Sequence, residues 1–254
     1  MNVYFLGTGT SQGIPVIGCD HPVCLSQDSR DKRLRVSVWV HWQNFSLVID
    51  CGPDFRQQML QSKCPRLDAL LFTHEHADHT AGLDDIRPFF FNQGPIPVYA
   101  SGRVLDNLSR RFDYIFSDVD KYPGAPSVQT HEIFANQSFT LGGKQILPIR
   151  VMHGKLEIFG FRIEKMAYLT DVKSLADDQL ALLQELDVLV ISALRVEPHA
   201  LHLNLEEALS MIRRIGPKKA YLTHISHLMG FHAEVSSKLP DGVSLAHDNL
   251  EITL

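Results

Sequence analysis

Five short apolar runs in this chain each stop at a polar residue capable of chemistry, and that pattern restricts the fold more than any other feature. The runs end at Asp50, His74, Asp171, Ser192 and His224, and each is dense in Leu, Val, Ile, Phe or Tyr. Continuous apolar runs of this length read as strands buried on both faces, which a layered α/β architecture supplies. In such folds chemistry collects at strand ends. Met1–Leu6 reads as the first strand, and helical periodicity falls at 54–63, 102–112, 176–186 and 204–215. The last helix has Asn204 as its N-cap, Glu206 and Glu207 in the first turn, and Arg213, Arg214 and Gly216 at its end. Strands and helices that interleave in this way fit a four-layer sandwich. Two irregular stretches, 7–34 and 113–128, interrupt the pattern, and loops that long tend to be functional. The tetrapeptide Ala-Tyr-Leu-Thr occurs before Asp171 and again before His224, too short a match to build on.

The run ending at His74 continues as His74-Glu75-His76-Ala77-Asp78-His79. Its imidazoles and the Asp78 carboxylate suit zinc and its first-row neighbours, and a strand end presents them at the rim of a sheet. His74 and His76 alternate and can point to one metal, while Asp78 and His79 turn towards a second. A second cluster, Cys19, His21 and Cys24, lies in the first long loop and offers soft ligands for a structural zinc. Its fourth ligand must come from elsewhere, and His227 in Thr223-His224-Ile225-Ser226-His227 is expected to supply it. On spacing alone, two reduced buried cysteines and a surface histidine explain the loop equally well.

Composition excludes several classes. With 44% apolar and 21% charged residues the chain is ordinary for a globular protein, and no linker divides its 254 residues, so 1–254 is expected to be one domain. No apolar run approaches the roughly 20 residues that span a bilayer, and no signal peptide is visible, so a cytoplasmic protein without a membrane partner is expected. Four unevenly spaced cysteines do not resemble a disulfide framework. A net charge of −5 argues against a broad nucleic-acid surface.

The His-x-His-x-Asp-His spelling resembles the metallo-β-lactamase superfamily. That resemblance implies an α/β fold, the four-layer αββα sandwich, and in the hydrolases a pair of divalent metals, here zinc or manganese. It also implies a later His, acidic residue and His, each after a strand; His153, Asp171 and His224 match in order. By the superfamily's arrangement His74, His76 and His153 hold the first metal, Asp78, His79 and His224 the second, and Asp171 bridges them. The two metals would share an activated hydroxide. Asp50 is expected to fix one of the ligating histidines.

The stretch Leu6–Pro15 with the loop after it resembles one branch, the phosphoribosyl cyclic phosphodiesterases of phosphonate degradation. There a Cys-x-Cys-x₂-Cys loop and the second His of a final His-Ile-Ser-His segment hold a structural zinc. This chain has His21 in place of the middle Cys, and Cys₂His₂ binds zinc as well. His202, ahead of Leu203-Asn204-Leu205-Glu206-Glu207, resembles the His-led helix start of these phosphodiesterases and of ribonuclease Z. It is therefore preferred to His199 as general acid, and His202 and Asp78 are the expected catalytic residues. Arg56 and Lys155 could contact phosphate but read as solvated surface. Cys51 and Cys64 read as reduced core thiols, and His41, His131, His232 and His247 as structural.

The expected function is hydrolysis of a small cyclic phosphate ester, with a homodimer possible. Ribonuclease Z is the alternative within the fold, although no Lys/Arg- and Gly-rich arm is visible to grip RNA. Lactone or thioester hydrolysis and a nonenzymatic metal-binding scaffold are the remaining readings, and fold alone does not separate them.

Overall fold

The computed structural model describes residues 1–117, 119 and 121–254. Its strands are β1 (Asn2–Gly7), β2 (Ser37–Trp42), β3 (Phe45–Ile49), β4 (Ala69–Leu71), β5 (Ile96–Ala100), β6 (Val128–Glu132), β7 (Phe139–Leu141), β8 (Lys144–His153), β9 (Leu156–Ile163), β10 (Met166–Leu169), β11 (Val188–Ser192), β12 (Lys219–Thr223), β13 (Val243–Leu245) and β14 (Glu251–Thr253). They form two seven-stranded sheets, ordered β14-β1-β2-β3-β4-β5-β6 and β13-β12-β11-β10-β9-β8-β7. Pairing in the first sheet is antiparallel from β14 to β3 and parallel from β3 to β6. The second repeats that succession, antiparallel from β7 to β10 and parallel from β10 to β13. In this correspondence β3 matches β10 and β4 matches β11. The repeated Ala-Tyr-Leu-Thr falls on β10 and β12, which flank β11 in one sheet, so it is not a trace of the correspondence.

Burial explains why the strands show no polar alternation. Leu47 and Ile49 of β3, Leu71 of β4, Phe161 of β9, Tyr168 of β10 and Val190 of β11 meet between the sheets. Their neighbours in sequence face outward into equally apolar layers. Val48, Leu70 and Val98 pack against Phe55, Met59, Val104 and Leu108 of the helices covering the first sheet. Leu189, Ile191 and Leu222 pack against Leu183, Ala208, Met211 and Ile215 over the second. Helix, sheet, sheet and helix thus stack as the expected αββα sandwich.

Helices Phe55–Ser62, Gly102–Arg111 and Leu205–Ile215 lie where the periodicity placed them. The last carries a complete capping box. Asn204 Oδ1 accepts from Glu207 N at 2.9 Å, and Asn204 N donates to Glu207 Oε2 at 2.9 Å. The helix expected over 176–186 is shorter, Asp177–Ala181. Beyond it Leu183 N bonds Leu180 O at 3.0 Å, the tighter i→i−3 pattern, and Glu185 turns to a φ of 60°. Its apolar residues keep their place in the core although the helix does not continue. The stretch 113–128 includes a short helix, Asp113–Phe116, and the start of β6, with positions 118 and 120 outside the described residues. Among the described residues no helix is long and apolar enough to cross a membrane.

Candidate metal centre

All the strand-end residues singled out in the sequence gather on one rim. Asp50 follows β3, His74 to His79 follow β4, His153 ends β8, Asp171 follows β10, Ser192 ends β11 and His224 follows β12. Asp50, Asp171 and His224 each adopt a left-handed backbone, at φ of 64°, 55° and 55°. That region is sparsely used by residues other than Gly, though Asp and His tolerate it better than most. At these three sites the turn directs a polar side chain back over the end of its own strand.

Three sets of donor atoms approach within 4.8 Å of one another: His74 with His79 and Asp171, Asp78 with His79 and His224, and His153 with Asp171 and His202. Asp171 reaches both sides, with Oδ2 3.2 Å from His79 Nε2 and Oδ1 3.2 Å from His224 Nε2. His74 Nε2 lies 3.0 Å from His76 Nδ1, and the His76 and His153 rings are 5.4 Å apart. All seven expected ligands thus gather around Asp171, with the His74 and His79 rings 4.2 Å apart and both in one donor set with it, so the donor sets cut across the expected division into two groups.

Which ring nitrogen faces the centre is set by what holds the opposite one. Asp50 accepts from Thr73 N at 2.9 Å and from the Thr73 hydroxyl at 2.8 Å. Having donated its proton there, Thr73 Oγ1 can only accept from His74 Nδ1, 3.0 Å away. Asp50 also takes His79 Nδ1 at 2.7 Å, and Leu201 O takes His153 Nδ1 at 3.0 Å. Each contact leaves Nε2 as the free nitrogen, the arrangement that orients histidines on a metal. Asp50 thus lies against His79, a residue of the motif; Thr73 and the Leu201 carbonyl had no signal in the sequence.

The electrostatics favour a cation. Burial works against the Asp171 carboxylate, yet His224 and His79 hold it well below the usual carboxylate range. Burial likewise opposes a charged His79, but Asp171, Asp78 and Asp50 hold its pKa well above the ordinary value. Burial, with His79 adding to it, pushes His74 well below. Three carboxylates, Asp50, Asp78 and Asp171, therefore converge on this group of buried imidazoles. Buried His79 Nε2 and both ring nitrogens of His224 have no hydrogen-bond partner among the described residues. Orphaned buried imidazole nitrogens facing carboxylates fit a divalent metal, which replaces the missing protons.

His202 joins the set from the loop after β11, with Nδ1 3.6 Å from Asp171 Oδ1 and its ring 4.6 Å from that of His153. Burial first, then the His224 imidazole, pushes its pKa down to about 3. An anion brought against it works in the opposite direction. His199, the other candidate, has its ring 5.0 Å from His202 and outside the donor sets. Arg56 lines a separate cleft with Met59 and Phe89, and Lys155 is exposed in the β8–β9 turn.

Glycine lets the motif pack this closely. A Cβ on Gly52 would sit 2.0 Å from Asp78 O, and one on Gly82 would sit 2.2 Å from Gly52 O. From outside, Arg111 Nη1 donates to Glu75 O at 2.9 Å and to Thr80 Oγ1 at 2.8 Å. Gly52→Ala is expected to cost about 1–3 kcal/mol, the range for overpacking, and to displace Asp78 and His79. Thermal melting together with metal content per chain checks it; an unchanged melt with full metal loading would refute the packing argument.

Residues 46–225 match the family described as the beta-lactamase superfamily domain. The chain belongs to the metallo-β-lactamase superfamily. A crystal structure of a diphosphatase from the PhnP family superposes with a TM-score of 0.92 at 40% identity, over 99% of this chain and 96% of that one. An octanoyltransferase of Porphyromonas gingivalis is 39% identical over 99% of this chain. The chain spans only 51% of that protein, about half its length, so the activity in its name belongs to a larger molecule. A ribonuclease Z of Clostridium kluyveri is 33% identical over 37% of this chain and 26% of its own length. The rim centre accordingly lies in a domain of the metallo-β-lactamase superfamily similar to the PhnP-family diphosphatase.

The loop cluster lies at the edge of the same rim. A parallel bridge from Gly9 to Ile225 and the Thr10 N to Ile225 O bond of 3.1 Å draw the first long loop onto the segment after β12. His21 and His227 then meet ring to ring at 5.1 Å, and the Cys24 thiol packs with Ile14, Val23, Cys19 and Phe231. Burial first raises the Cys24 pKa, and the neighbouring Cys19 adds to it. Buried His227 Nδ1 has no hydrogen-bond partner among the described residues. The four side chains are neighbours, although their donor atoms are more widely spaced than those of the rim sets.

Proposed function

We propose that the rim centre hydrolyses a small phosphodiester, with a sugar cyclic phosphate as the preferred class. The observation that carries this is His202, an imidazole set against the metal-ligand cluster but 3.6 Å from the nearest carboxylate oxygen and with its Nδ1 otherwise unpartnered. A leaving alkoxide needs a proton donor beside the phosphorus, and His202 would supply it. His74, His76 and His153 would hold one divalent cation and Asp78, His79 and His224 the other, with Asp171 between them. Such a pair, zinc or manganese on these N and O ligands, supplies Lewis acidity towards phosphoryl oxygens and a water of lowered pKa.

The chain's own residues do the rest. Asp50 and Leu201 O fix the imidazoles of His79 and His153, so that the substrate meets a preformed centre. Asp78, half-buried at the mouth, presents a carboxylate to the same space, where it ligates and acts on the reacting group. The two sheets share one interior, which supports reading 1–254 as one domain. Free Cys19 and Cys24 suit the reducing cytoplasm, where thiols stay available to a metal.

Metal-loaded protein should turn over a ribose cyclic phosphate and a linear aryl phosphodiester, and should leave a lactone and a precursor transfer RNA essentially untouched. Processing of the transfer RNA without activity on the cyclic phosphate would replace this reading with a ribonuclease.

We also assign a structural zinc to Cys19, His21, Cys24 and His227, supported by their convergence and by the unpartnered His227 nitrogen. Cys24→Ala should remove one zinc per chain and lower the melting temperature by about 2–4 °C for each kcal/mol lost. Michaelis constants should change little. Unaltered zinc stoichiometry and melting would dismiss the assignment.

A further inference from the structure

His224 differs from other rim histidines in what holds it. The Nδ1 atoms of His74, His79 and His153 bond to Thr73 Oγ1, Asp50 and Leu201 O, whereas His224 Nδ1 is buried without a hydrogen-bond partner among the described residues. The rings of His202 and His79 stack against it at 5.1 and 6.0 Å, which confines the imidazole between them but gives Nδ1 no acceptor. Its place is therefore set through the main chain. Ile225 N, on the next residue, donates to Thr8 O at 2.9 Å, and Thr10 N donates to Ile225 O at 3.1 Å. The left-handed backbone of His224, at φ 55°, joins those bonds to the imidazole, so a shift of Thr8 is carried to the ring.

Thr8 is itself held from behind by a buried ionic network. Arg33, only 4% exposed, donates through Nη1 to Thr8 Oγ1 at 2.7 Å and to Ala246 O at 2.6 Å. The Thr8 hydroxyl in turn donates to Asp248 Oδ1 at 2.7 Å, and Leu34 N donates to Asp248 Oδ2 at 2.6 Å. One hydroxyl thus joins a buried cation to a buried carboxylate. Arg33 Nη2 also lies 3.2 Å from His232 Nδ1, which accepts as a neutral ring; burial first, with Arg33 adding to it, pushes that pKa down to about 4. Replacing such buried ions by apolar packing often leaves stability unchanged, which points to registry as what this network supplies.

We propose that Thr8, Arg33 and Asp248 are positioning residues for His224, taking the part that an acceptor on Nδ1 plays for the other histidines. None of the three belongs to the donor sets of the rim, so they act through Ile225 and not on a substrate. The inference rests on His224 as a metal ligand, proposed above, and is independent of which ester is cleaved.

The test titrates Mn²⁺-loaded protein with a competing chelator, well below the melting transition. Mn²⁺ reports on the rim, because the thiolates of the loop cluster favour softer ions. Thr8→Val keeps the shape of the side chain and deletes the joint, and Thr8→Ser keeps the hydroxyl. Thr8→Val should weaken Mn²⁺ binding by about 10–100-fold, the usual effect of losing an outer partner of a metal ligand, and Thr8→Ser should recover most of it. Arg33→Lys, which keeps the charge but not the forked donors, should fall between them, and it decides the matter if Thr8→Val does not fold. Val40→Ala, a truncation in the buried core between the sheets, is the control for lost stability; it should lower the melting temperature and leave Mn²⁺ affinity as in wild type. His224→Ala reports on the ligand assignment itself. Unchanged affinity in Thr8→Val and Arg33→Lys beside a loss in His224→Ala overturns the positioning role. So do losses that follow melting temperature alone, Val40→Ala included. Full affinity in His224→Ala overturns the ligand assignment and the positioning role with it.

Discussion

Replacing Asp171 with alanine is expected to abolish measurable turnover and to release at least one metal per chain. Its carboxylate lies within 3.2 Å of both His79 Nε2 and His224 Nε2, so one side chain serves both halves of the centre. Losing several kcal/mol of charge stabilisation at a metal-assisted centre corresponds to about a 10³-fold or greater drop in rate. Removing the carboxylate also leaves His79 and His224 facing each other with one fewer anion, which weakens whatever cation remains. Metal analysis of chelator-free protein and steady-state kinetics check this together. Full metal content with full turnover would show that Asp171 is no bridge.

His202→Ala should separate substrates by their leaving groups. Alkyl phosphodiesters and sugar cyclic phosphates, whose alkoxide needs a proton, should lose about 10²–10⁴ in kcat, the usual worth of a general acid. An activated aryl diester, whose phenolate departs unaided, should lose far less. Metal content should hold, because the donor sets of His74, His79 and Asp171 and of Asp78, His79 and His224 are complete without this side chain. Equal losses on both kinds of ester would recast His202 as a residue that positions substrate. No loss on either would leave it as a helix-start residue, with the phosphodiesterase reading resting on likeness alone.

The two variants probe different layers of the same rim. Asp171 belongs to a run whose apolar residues are buried on both faces of the second sheet and whose left-handed turn at φ 55° places the carboxylate. His202 sits on a loop whose place is set by long-range backbone bonds, Leu203 N to Val172 O at 2.7 Å and Leu194 N to Leu203 O at 2.9 Å. Asp171 was legible as a strand end in an apolar run. His202 was legible only through its likeness to related helix starts, because a lone histidine before a capped helix carries no chemical pattern of its own.

Local order in the chain determined the first strand, the strands that lead to Asp50, His74, Asp171, Ser192 and His224, and three of the four helices. Strand identity follows from burial on both faces, and helix ends from caps such as Asn204 and Gly216, all of which act within a few residues. The fourth helix stops at Ala181 because tertiary packing holds Leu183 and Leu186 in the core whether or not the backbone stays helical. The tertiary structure alone decided which nitrogens face the centre, since Asp50 meets His79 across 29 residues and Leu201 meets His153 across 48. It alone produced the Arg33 network, whose members come from both ends of the chain. Hydrogen-bonded partners depend on sheet register and loop closure, which are summed over the whole fold, whereas strand and cap signals are paid out locally along the sequence.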